Sequence, residues 1–342
     1  MKILITGSNG YIGSVLSQQL LAAQYDVVGV DTGFYREGAL YNPQFLYPKT
    51  ITKDIRLITV EDLEGVDVVV HLAELSNDPL GENNPEVTFE INHLGSVALA
   101  KTAKKAGVKR FVYTSSCSVY GEATEPIVDE NSKPNPQTAY AKCKILVEHD
   151  VAELADANFC PVFLRNATVY GASPNIRFDL VVNNLSGLAW TLKKIVMTSD
   201  GTPWRPLVHI QDVCQAIRCV IEAPTESVIG ETFNVGQNSG NYQIKEVAAI
   251  IADTFPGCEL TLGSSDGDTR SYKVNFDKIH AALPSYQCKW DVKKGAEELK
   301  RIFEYIQMSE DIFKYRPYTR LKQLKHLIST NQLTENFFWK SL

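Results

Sequence analysis

The chain has 342 residues, of which 44% are hydrophobic and 22% charged, and its formal net charge is -6. This length and composition allow one large α/β unit with an attached lobe, or two ordinary domains. The acidic balance argues weakly against nucleic-acid binding, and no apolar run is long enough to span a bilayer.

The seven cysteines are scattered without metal-ligand spacing, and no secretory signal peptide is visible. We therefore expect a cytoplasmic protein with reduced thiols, no disulfide framework and no metal site.

The first 165 residues alternate β-branched runs with amphipathic segments. The predicted strands are Lys2–Thr6, Asp26–Val30, Val66–His71, Arg110–Ser115 and Val162–Leu164. The predicted helices are Gly13–Ala23, Val87–Ala106 and Ala141–Leu154. Continuous Val/Ile/Leu runs are typical of strands that are buried on both faces. The alternation of strands and helices predicts a doubly wound parallel sheet with right-handed crossovers.

The second half contains loops rich in Gly, Pro, Ser and Asn, without internal repeats or a low-complexity linker. We predict a large domain over residues 1–165 and a smaller C-terminal α/β substrate lobe over residues 166–342, partly interleaved with the sheet. From Lys314 the chain is locally basic and carries one apolar stripe at helical spacing. Such a stripe favours a helix docked on its own protein or on a partner subunit over a membrane or nucleic-acid contact.

A glycine-rich turn follows the first strand and opens the first helix, with the sequence Gly7-Ser8-Asn9-Gly10-Tyr11-Ile12-Gly13. Glycines allow a tight turn and the close approach of a pyrophosphate, which then faces the N–H groups of the helix. Asp31 ends the second strand, where a carboxylate accepts hydrogen bonds from the adenosine ribose and repels a 2′-phosphate. The combination predicts a Rossmann-type fold that binds NAD rather than NADP, although Arg36 lies nearby.

Two further sites surround this turn in the prediction. Asp54 and Ile55 follow the third strand and could cover the adenine, although a solvated turn is an equally good interpretation of Asp54.

Tyr140 and Lys144 are four residues apart, so both reach one site from a single helix face. The lysine ammonium stabilises the phenolate form of the tyrosine, which can then exchange a proton with a sugar hydroxyl. Ser116, at the end of a strand of the same sheet, could hold the reacting oxygen.

The sequence resembles the extended short-chain dehydrogenase/reductases, in their nucleotide-sugar epimerase/dehydratase group. The resemblance covers nearly the whole chain. It rests on the glycine-rich start, His71-Leu72-Ala73, Asn92, Ser115-Ser116-Cys117-Ser118-Val119-Tyr120-Gly121, the Tyr140/Lys144 pair, Arg165 through Gly171, and Asp200-Gly201-Thr202 leading to Arg205 and Val208-His209-Ile210.

The resemblance implies that Tyr140 is the acid/base, that Lys144 bridges the nicotinamide ribose and the tyrosine, and that Ser116 is the third residue of the catalytic group. It implies that Leu72, Ala73 and Asn92 belong to the cofactor site. It also implies that Arg205 and Arg270 bind the diphosphate of a nucleotide sugar, a role that suits bidentate guanidinium groups. A homodimer through the helices Val87–Ala106 and Ala141–Leu154 is a further expectation from the family.

Three departures from the family pattern narrow the reaction. The 4,6-dehydratase branch carries Asp-Glu where this chain has Cys117-Ser118, so we do not expect dehydration. The substrate-contacting amide of the family motif is replaced by Thr168. The diphosphate-binding asparagine has no clear counterpart, and Asp179 and Asn183 are both candidates.

Cys117 admits two interpretations. A thiol of lowered pKa beside a nicotinamide can shuttle a carbon-bound proton, and related C3/C5 epimerases and ring-contracting enzymes use a cysteine close to this position. A small buried residue beside the active strand is the interpretation that we favour.

The leading hypothesis is a redox-neutral NAD-dependent epimerase that acts on a nucleotide sugar through a 4-keto intermediate. The alternative is a nucleotide-4-ketosugar reductase, or a thiol-assisted C3/C5 epimerase or ring-contracting synthase of deoxysugar biosynthesis. A non-catalytic NAD-binding regulator is a distant third, because such proteins commonly lose the tyrosine or the lysine, and both are present here.

Overall fold

The computed structural model describes residues 1–42, 47–76, 84–123, 125–264 and 271–340. At its centre is a seven-stranded sheet in which every neighbouring pair is parallel, with the order β11-β7-β5-β4-β1-β2-β3. Its strands are β1 (Lys2–Thr6), β2 (Asp26–Asp31), β3 (Lys49–Thr52), β4 (Val68–His71), β5 (Arg110–Ser116), β7 (Cys160–Asn166) and β11 (Thr232–Val235).

The five strands predicted from the sequence are all present, and the doubly wound order confirms the predicted Rossmann-type fold. Strand β7 is longer at both ends than the short run Val162–Leu164 suggested. Strand β11 comes from the second half of the chain and pairs in parallel with β7. The strand order reverses between β1 and β4, and ligands bind at this position in open α/β sheets.

Alternate side chains of the central strands pack into two different hydrophobic clusters. Ile3 and Val70 belong to one cluster, and Leu4 and Val69 belong to the other. Each strand is therefore buried on both faces, which explains the continuous apolar runs in the sequence.

Helices cover both faces of the sheet. The N-terminal half supplies α1 (Tyr11–Ala22), α2 (Pro85–Thr88), a π-helical segment (Phe89–Gly95), α3 (Ser96–Lys105) and α4 (Ala139–Ala152). The second half supplies α5 (Val181–Thr191), α6 (Ile210–Glu222), α7 (Ile244–Thr254), α8 (Asp277–Ala282), α9 (Val292–Tyr305), α10 (Glu310–Lys314) and α11 (Arg320–Ser329).

Three small sheets complete the second half and join it to the first. Their strand orders are β12-β10-β8, β13-β9 and β14-β6. The strands are β6 (Ile127–Val128), β8 (Thr168–Tyr170), β9 (Lys194–Val196), β10 (Trp204–His209), β12 (Asn241–Gln243), β13 (Glu259–Thr261) and β14 (Lys273–Val274).

Residues 316–340, here called the C-terminal extension, pack against the N-terminal part of the chain. Leu324 and Leu327 of α11 pack with Phe34, Ile55 and Ile91 in a third hydrophobic cluster. The indole of Trp339 donates a hydrogen bond to the carbonyl of Thr32 over 2.6 Å. The apolar stripe of this segment is therefore docked on its own chain.

Over the parts of the chain that the structure describes, no helix combines the length and the apolar character needed to cross a membrane.

Candidate active site

A pocket lies at the carboxyl ends of β1, β2, β4 and β5, where the order of the strands in the sheet reverses. Parallel strands bring these ends to one edge, so residues that are far apart in the sequence meet there. The glycine-rich turn, Asp31, the segment 72–76, Ser116, and the Tyr140/Lys144 pair all contribute to its wall.

The glycine-rich turn leaves space for a ligand and none for larger side chains within itself. A Cβ at Gly13 would lie 2.0 Å from the carbonyl oxygen of Gly7, and Gly7 has a φ of 70°. The backbone is therefore held close to the start of α1, whose free N–H groups and dipole favour an anion. Gly7, Gly10, Tyr11, Ile12 and Gly13 line the pocket, and this arrangement fits the pyrophosphate of a dinucleotide.

Asp31 reaches the pocket from the end of β2. Its two carboxylate oxygens accept hydrogen bonds from the main-chain N–H groups of Asn9, over 3.0 Å, and Gly33, over 2.8 Å. Burial raises the pKa of Asp31, and these two donors oppose the shift. Asn9 thus acts through its backbone, by positioning the carboxylate that is expected to meet the ribose.

Asp54 and Ile55 also line the pocket, next to Asp31. The Asp54 carboxylate accepts hydrogen bonds from the backbone and the guanidinium of Arg56. Arg56 in turn donates to the carbonyl of Asn336 and lies 3.7 Å from the ring centroid of Phe338. This wall is therefore braced by the C-terminal extension, which the sequence did not indicate.

The segment after β4 is held in place by a buried side chain that does not line the pocket. Leu72 and Ala73 line the pocket, whereas the side chain of Asn92 is buried and forms two hydrogen bonds with the backbone of Leu75. Asn92 therefore holds the loop, and its expected place in the cofactor site is indirect. His71 bonds Thr6 and Ser96, and burial lowers its pKa to about 3, so the ring is neutral.

Tyr140 and Lys144 lie on the first turns of α4 and face the end of β5, because positions four apart share a helix face. The Lys144 ammonium is 5.3 Å from the centroid of the Tyr140 ring and donates to the carbonyl of Thr114. It also forms a buried ion pair with Glu74. Glu74 accepts a second hydrogen bond from the Tyr113 hydroxyl, over 2.6 Å.

The charge of Lys144 depends on this ion pair. Burial by itself lowers the pKa of a lysine, but the negative charges of Glu74 and Tyr140 more than offset this and raise the pKa of Lys144. The ion pair therefore favours the ammonium form of Lys144, although burial also raises the pKa of Glu74. The sequence analysis did not assign Glu74 to the site. Its place directly after His71-Leu72-Ala73, at the end of β4, could have indicated that it reaches this edge of the sheet.

Ser116 and Thr168 line the same part of the pocket as Tyr140. Ser116 also accepts a hydrogen bond from the N–H of Ser118 over 3.1 Å, which fixes the turn after β5. The structure thus brings together four of the residues that the sequence assigned to substrate and chemistry: Ser116, Tyr140, Lys144 and Thr168.

Cys117 lies elsewhere, although its two neighbours in sequence line the pocket. Its side chain is 1% exposed and its thiol donates to the carbonyl of Arg165 over 3.2 Å. Burial raises the pKa of Cys117 well above its usual range, so the thiolate needed for proton transfer is disfavoured. The burial of this thiol agrees with the structural interpretation favoured from the sequence and gives no support to the catalytic alternative.

Asn183 also lies within the protein. It is fully buried, accepts from the N–H of Gly171 and donates to the Tyr11 hydroxyl and the carbonyl of Arg177. Both amide hydrogens are thus used inside the protein, so these bonds give no support to the candidate role of Asn183 in substrate binding, which stays a prediction.

Of the two arginines expected to bind a diphosphate, Arg205 does not line this pocket. Arg205 lies on β10, half-buried, where it donates to the carbonyl of Trp204 and stands 5.9 Å from the Tyr272 ring centroid. Arg270 lies outside the described residues. The structure instead brings Arg177 and Arg320 to the pocket wall, and no motif in the sequence marked either.

The described part of the chain has no group of three or more His, Cys, Asp or Glu side chains that could hold a metal ion.

Together, the reversal of the strand order, the glycine-rich turn and Asp31 define a dinucleotide-binding α/β protein, with a Tyr/Lys pair in the same pocket. Comparison with known proteins gives the family. Residues 3–236 match the model of the NAD dependent epimerase/dehydratase family, and the chain belongs to it. NAD is therefore the cofactor that this pocket fits.

Relatives in this family include both epimerases and dehydratases. YtcB of Bacillus subtilis, described as an uncharacterised UDP-glucose epimerase, is 31% identical over 280 residues, covering 78% of this chain and 85% of the relative. The structure of UDP-glucuronic acid 4-epimerase from Bacillus cereus, in complex with UDP-glucuronic acid and NAD, is 26% identical, with a TM-score of 0.76 and coverage of 89% and 100%. DesIV of Streptomyces venezuelae, a dTDP-glucose 4,6-dehydratase, is 25% identical, with a TM-score of 0.78 and coverage of 91% and 100%.

Proposed function

We propose that this protein epimerises a nucleotide-linked sugar at C4 without net oxidation or reduction. The observation that carries the proposal is the grouping of Tyr140, Lys144 and Ser116 beside the glycine-rich turn and Asp31 in one pocket. Relatives that act on UDP-sugars support this class of substrate.

In this mechanism Tyr140 takes the proton of the 4-hydroxyl group, and Ser116 holds the same oxygen by a hydrogen bond. NAD, when bound, supplies the hydride acceptor and donor. Lys144 keeps its positive charge because Glu74 is paired with it, and this charge stabilises the phenolate of Tyr140. The 4-keto sugar then turns the opposite face of C4 toward the cofactor site, and Tyr140 returns the proton to the C4 oxygen.

Two features support epimerisation over the other reactions of the family. Cys117 and Ser118 stand where dehydratases carry an Asp-Glu pair, so the carboxylates that remove water are missing from that turn. The burial of the Cys117 thiol is unfavourable for C3/C5 epimerisation and ring contraction. Because dehydratases are among the structural relatives, the product analysis must test this point directly.

The deciding experiment is incubation of the purified protein with a panel of UDP-, dTDP-, GDP- and CDP-sugars, followed by mass spectrometry and NMR of the products. We expect interconversion of two C4 epimers with no net consumption of NADH, and Tyr140→Phe should lose this activity by about 100-fold or more. Stoichiometric NADH consumption indicates the ketoreductase instead. Loss of 18 mass units, which is about one water, indicates a dehydratase.

Two controls address the thiol alternative. Deuterium from heavy water should not enter C3 or C5, and Cys117→Ser should retain turnover, because the thiol lies in the core. Deuterium at those carbons together with an inactive Cys117→Ser variant would establish thiol chemistry.

A further inference from the structure

Arg320 presents a buried charge to the cofactor pocket. It is 3% exposed, lines the pocket, and is the first residue of α11. Its guanidinium donates to the carbonyls of Pro317, over 2.9 Å, and Asn175, over 3.0 Å, and lies 4.2 Å from the ring centroid of Tyr35. Since an arginine has five N–H donors, these bonds leave donors for a ligand.

No carboxylate of the described chain forms an ion pair with Arg320. Two other buried arginines of this protein are paired, Arg165 with Glu148 and Arg177 with Asp179. Burial lowers the pKa of Arg320 to about 10, the nearby charge of Arg177 adds to this, and Tyr35, Asp179 and Asp31 oppose the shift without reversing it. A cation at the N-terminal end of a helix also meets an unfavourable dipole. The ligand-free site therefore holds a charge that an anion would stabilise.

The surroundings of Arg320 point to the position of that anion. Asn175, which accepts from Arg320, donates through its N–H to the Ser173 hydroxyl. Ser173 in turn donates to the carbonyl of Tyr11, the first residue of α1. Arg320 is thus connected by three hydrogen bonds to the helix start at the glycine-rich turn. The guanidinium and the helix N-terminus favour the same kind of group, an oxyanion.

We propose that Arg320 binds the diphosphate of the dinucleotide cofactor, so that the C-terminal extension completes a site begun by residues 7–13. Tyr35 and the two carbonyls hold the planar guanidinium in one orientation. This proposal rests on dinucleotide binding by the family and is independent of the reaction proposed above. The cofactor and the extension are then coupled, because each favours the bound position of the other.

Calorimetric titration of the full-length, cofactor-stripped protein tests the proposal with three ligands: NAD, adenosine and UDP. We expect Arg320→Gln to raise the Kd of NAD about 10- to 100-fold, the loss typical of a charged hydrogen bond. The Kd of adenosine, which has no phosphate, should change less than about twofold, and so should that of UDP. The Kd of NAD for Arg320→Lys should lie between those of the parent protein and Arg320→Gln, since lysine keeps the charge without the bidentate geometry.

Thermal unfolding separates binding from a structural role. Without ligand, Arg320→Gln should change the Tm little, because removal of the buried charge offsets the lost bonds to the carbonyls of Pro317 and Asn175. Its stabilisation by NAD should shrink. Lys322→Gln, which removes an exposed charge from the same helix, should leave both measurements unchanged. The proposal is overturned if ligand-free Arg320→Gln is destabilised while its affinity for NAD is unaltered. It is also overturned if the substitution weakens adenosine binding as much as NAD binding, or if it weakens UDP binding and leaves NAD binding unchanged.

Discussion

At Lys144, burial and ion pairing act on the pKa in opposite directions. The side chain is buried, which disfavours the ammonium, yet Glu74 stands in contact with it and favours the charge. The Tyr113 hydroxyl donates to the same carboxylate and keeps it in place. Glu74 is therefore a positioning residue in our mechanism: it acts on Tyr140 through the lysine.

This arrangement predicts a change in the pH profile of the Glu74→Gln variant. Below its pKa Lys144 is an ammonium, and above it the charge is lost. Removing Glu74 takes away the largest of the effects that oppose burial, so the pKa of Lys144 falls. The alkaline limb of the kcat profile should then move to lower pH, by about 1–3 pH units. The measurement is turnover from pH 6 to pH 11, about the range in which lysine titrates.

Tyr113→Phe is the matched control, since it removes a partner of Glu74 and keeps the charge. Its alkaline limb should stay near that of the parent protein. A Glu74→Gln profile with the parent limb and only a lower plateau would contradict the role assigned to Glu74.

Helix α11 connects the C-terminal extension to the cofactor pocket. Its buried face carries Leu324 and Leu327, which pack on Phe34 and Ile55 beside the pocket wall. Gln323 donates to the carbonyl of Phe34 over 3.0 Å and ties the helix to the loop after Asp31. The position of Arg320 therefore depends on apolar contacts made further along the same helix.

Leu327→Ala should lower the free energy of unfolding by about 2–5 kcal/mol, because it leaves a cavity at a fully buried position. If α11 positions Arg320, the same variant should also bind NAD more weakly. Denaturant unfolding and NAD titration measure the two effects. Lys325→Ala, at an exposed position of the same helix, should change stability by less than about 0.5 kcal/mol. A stability loss without any loss of NAD affinity would show that α11 and the cofactor site are uncoupled.

On the scale of the whole molecule, two neighbouring helical segments leave large apolar side chains in solvent. Leu94, in the π-helical segment, is 60% exposed, and Leu146, on α4, is 36% exposed. These are the segments through which the family resemblance implies a homodimer. Association of two copies through this face would cover both leucines.

We therefore expect the protein to form a dimer that the Leu94→Glu substitution weakens by about 30-fold or more, because a charge would enter the centre of an apolar interface. Sedimentation velocity over a concentration series measures the change. Leu192→Glu, which alters a leucine of similar exposure in the other half of the chain, should leave the dimer intact. A monomer at all concentrations, or equal effects of the two variants, would exclude this face.

The sequence by itself determined the fold class, the cofactor and the Tyr140/Lys144 pair. These features follow from local rules: residues four apart share a helix face, a glycine-rich turn opens the first helix, and the ends of parallel strands meet at one edge. Asp31 could be assigned for the same reason, because its place at the end of a strand decides where its carboxylate lies.

Only the tertiary structure decided which other charges reach that edge. Arg320 is brought to the pocket by apolar packing of a helix from the end of the chain. Glu74, which follows β4, forms an ion pair with Lys144 on α4. Cys117 and Asn183 turn into the core, although each stands near pocket residues in the sequence. The orientation of a side chain at a turn, and the partner of a buried charge, are decided by contacts between distant segments, and a local sequence pattern does not contain them.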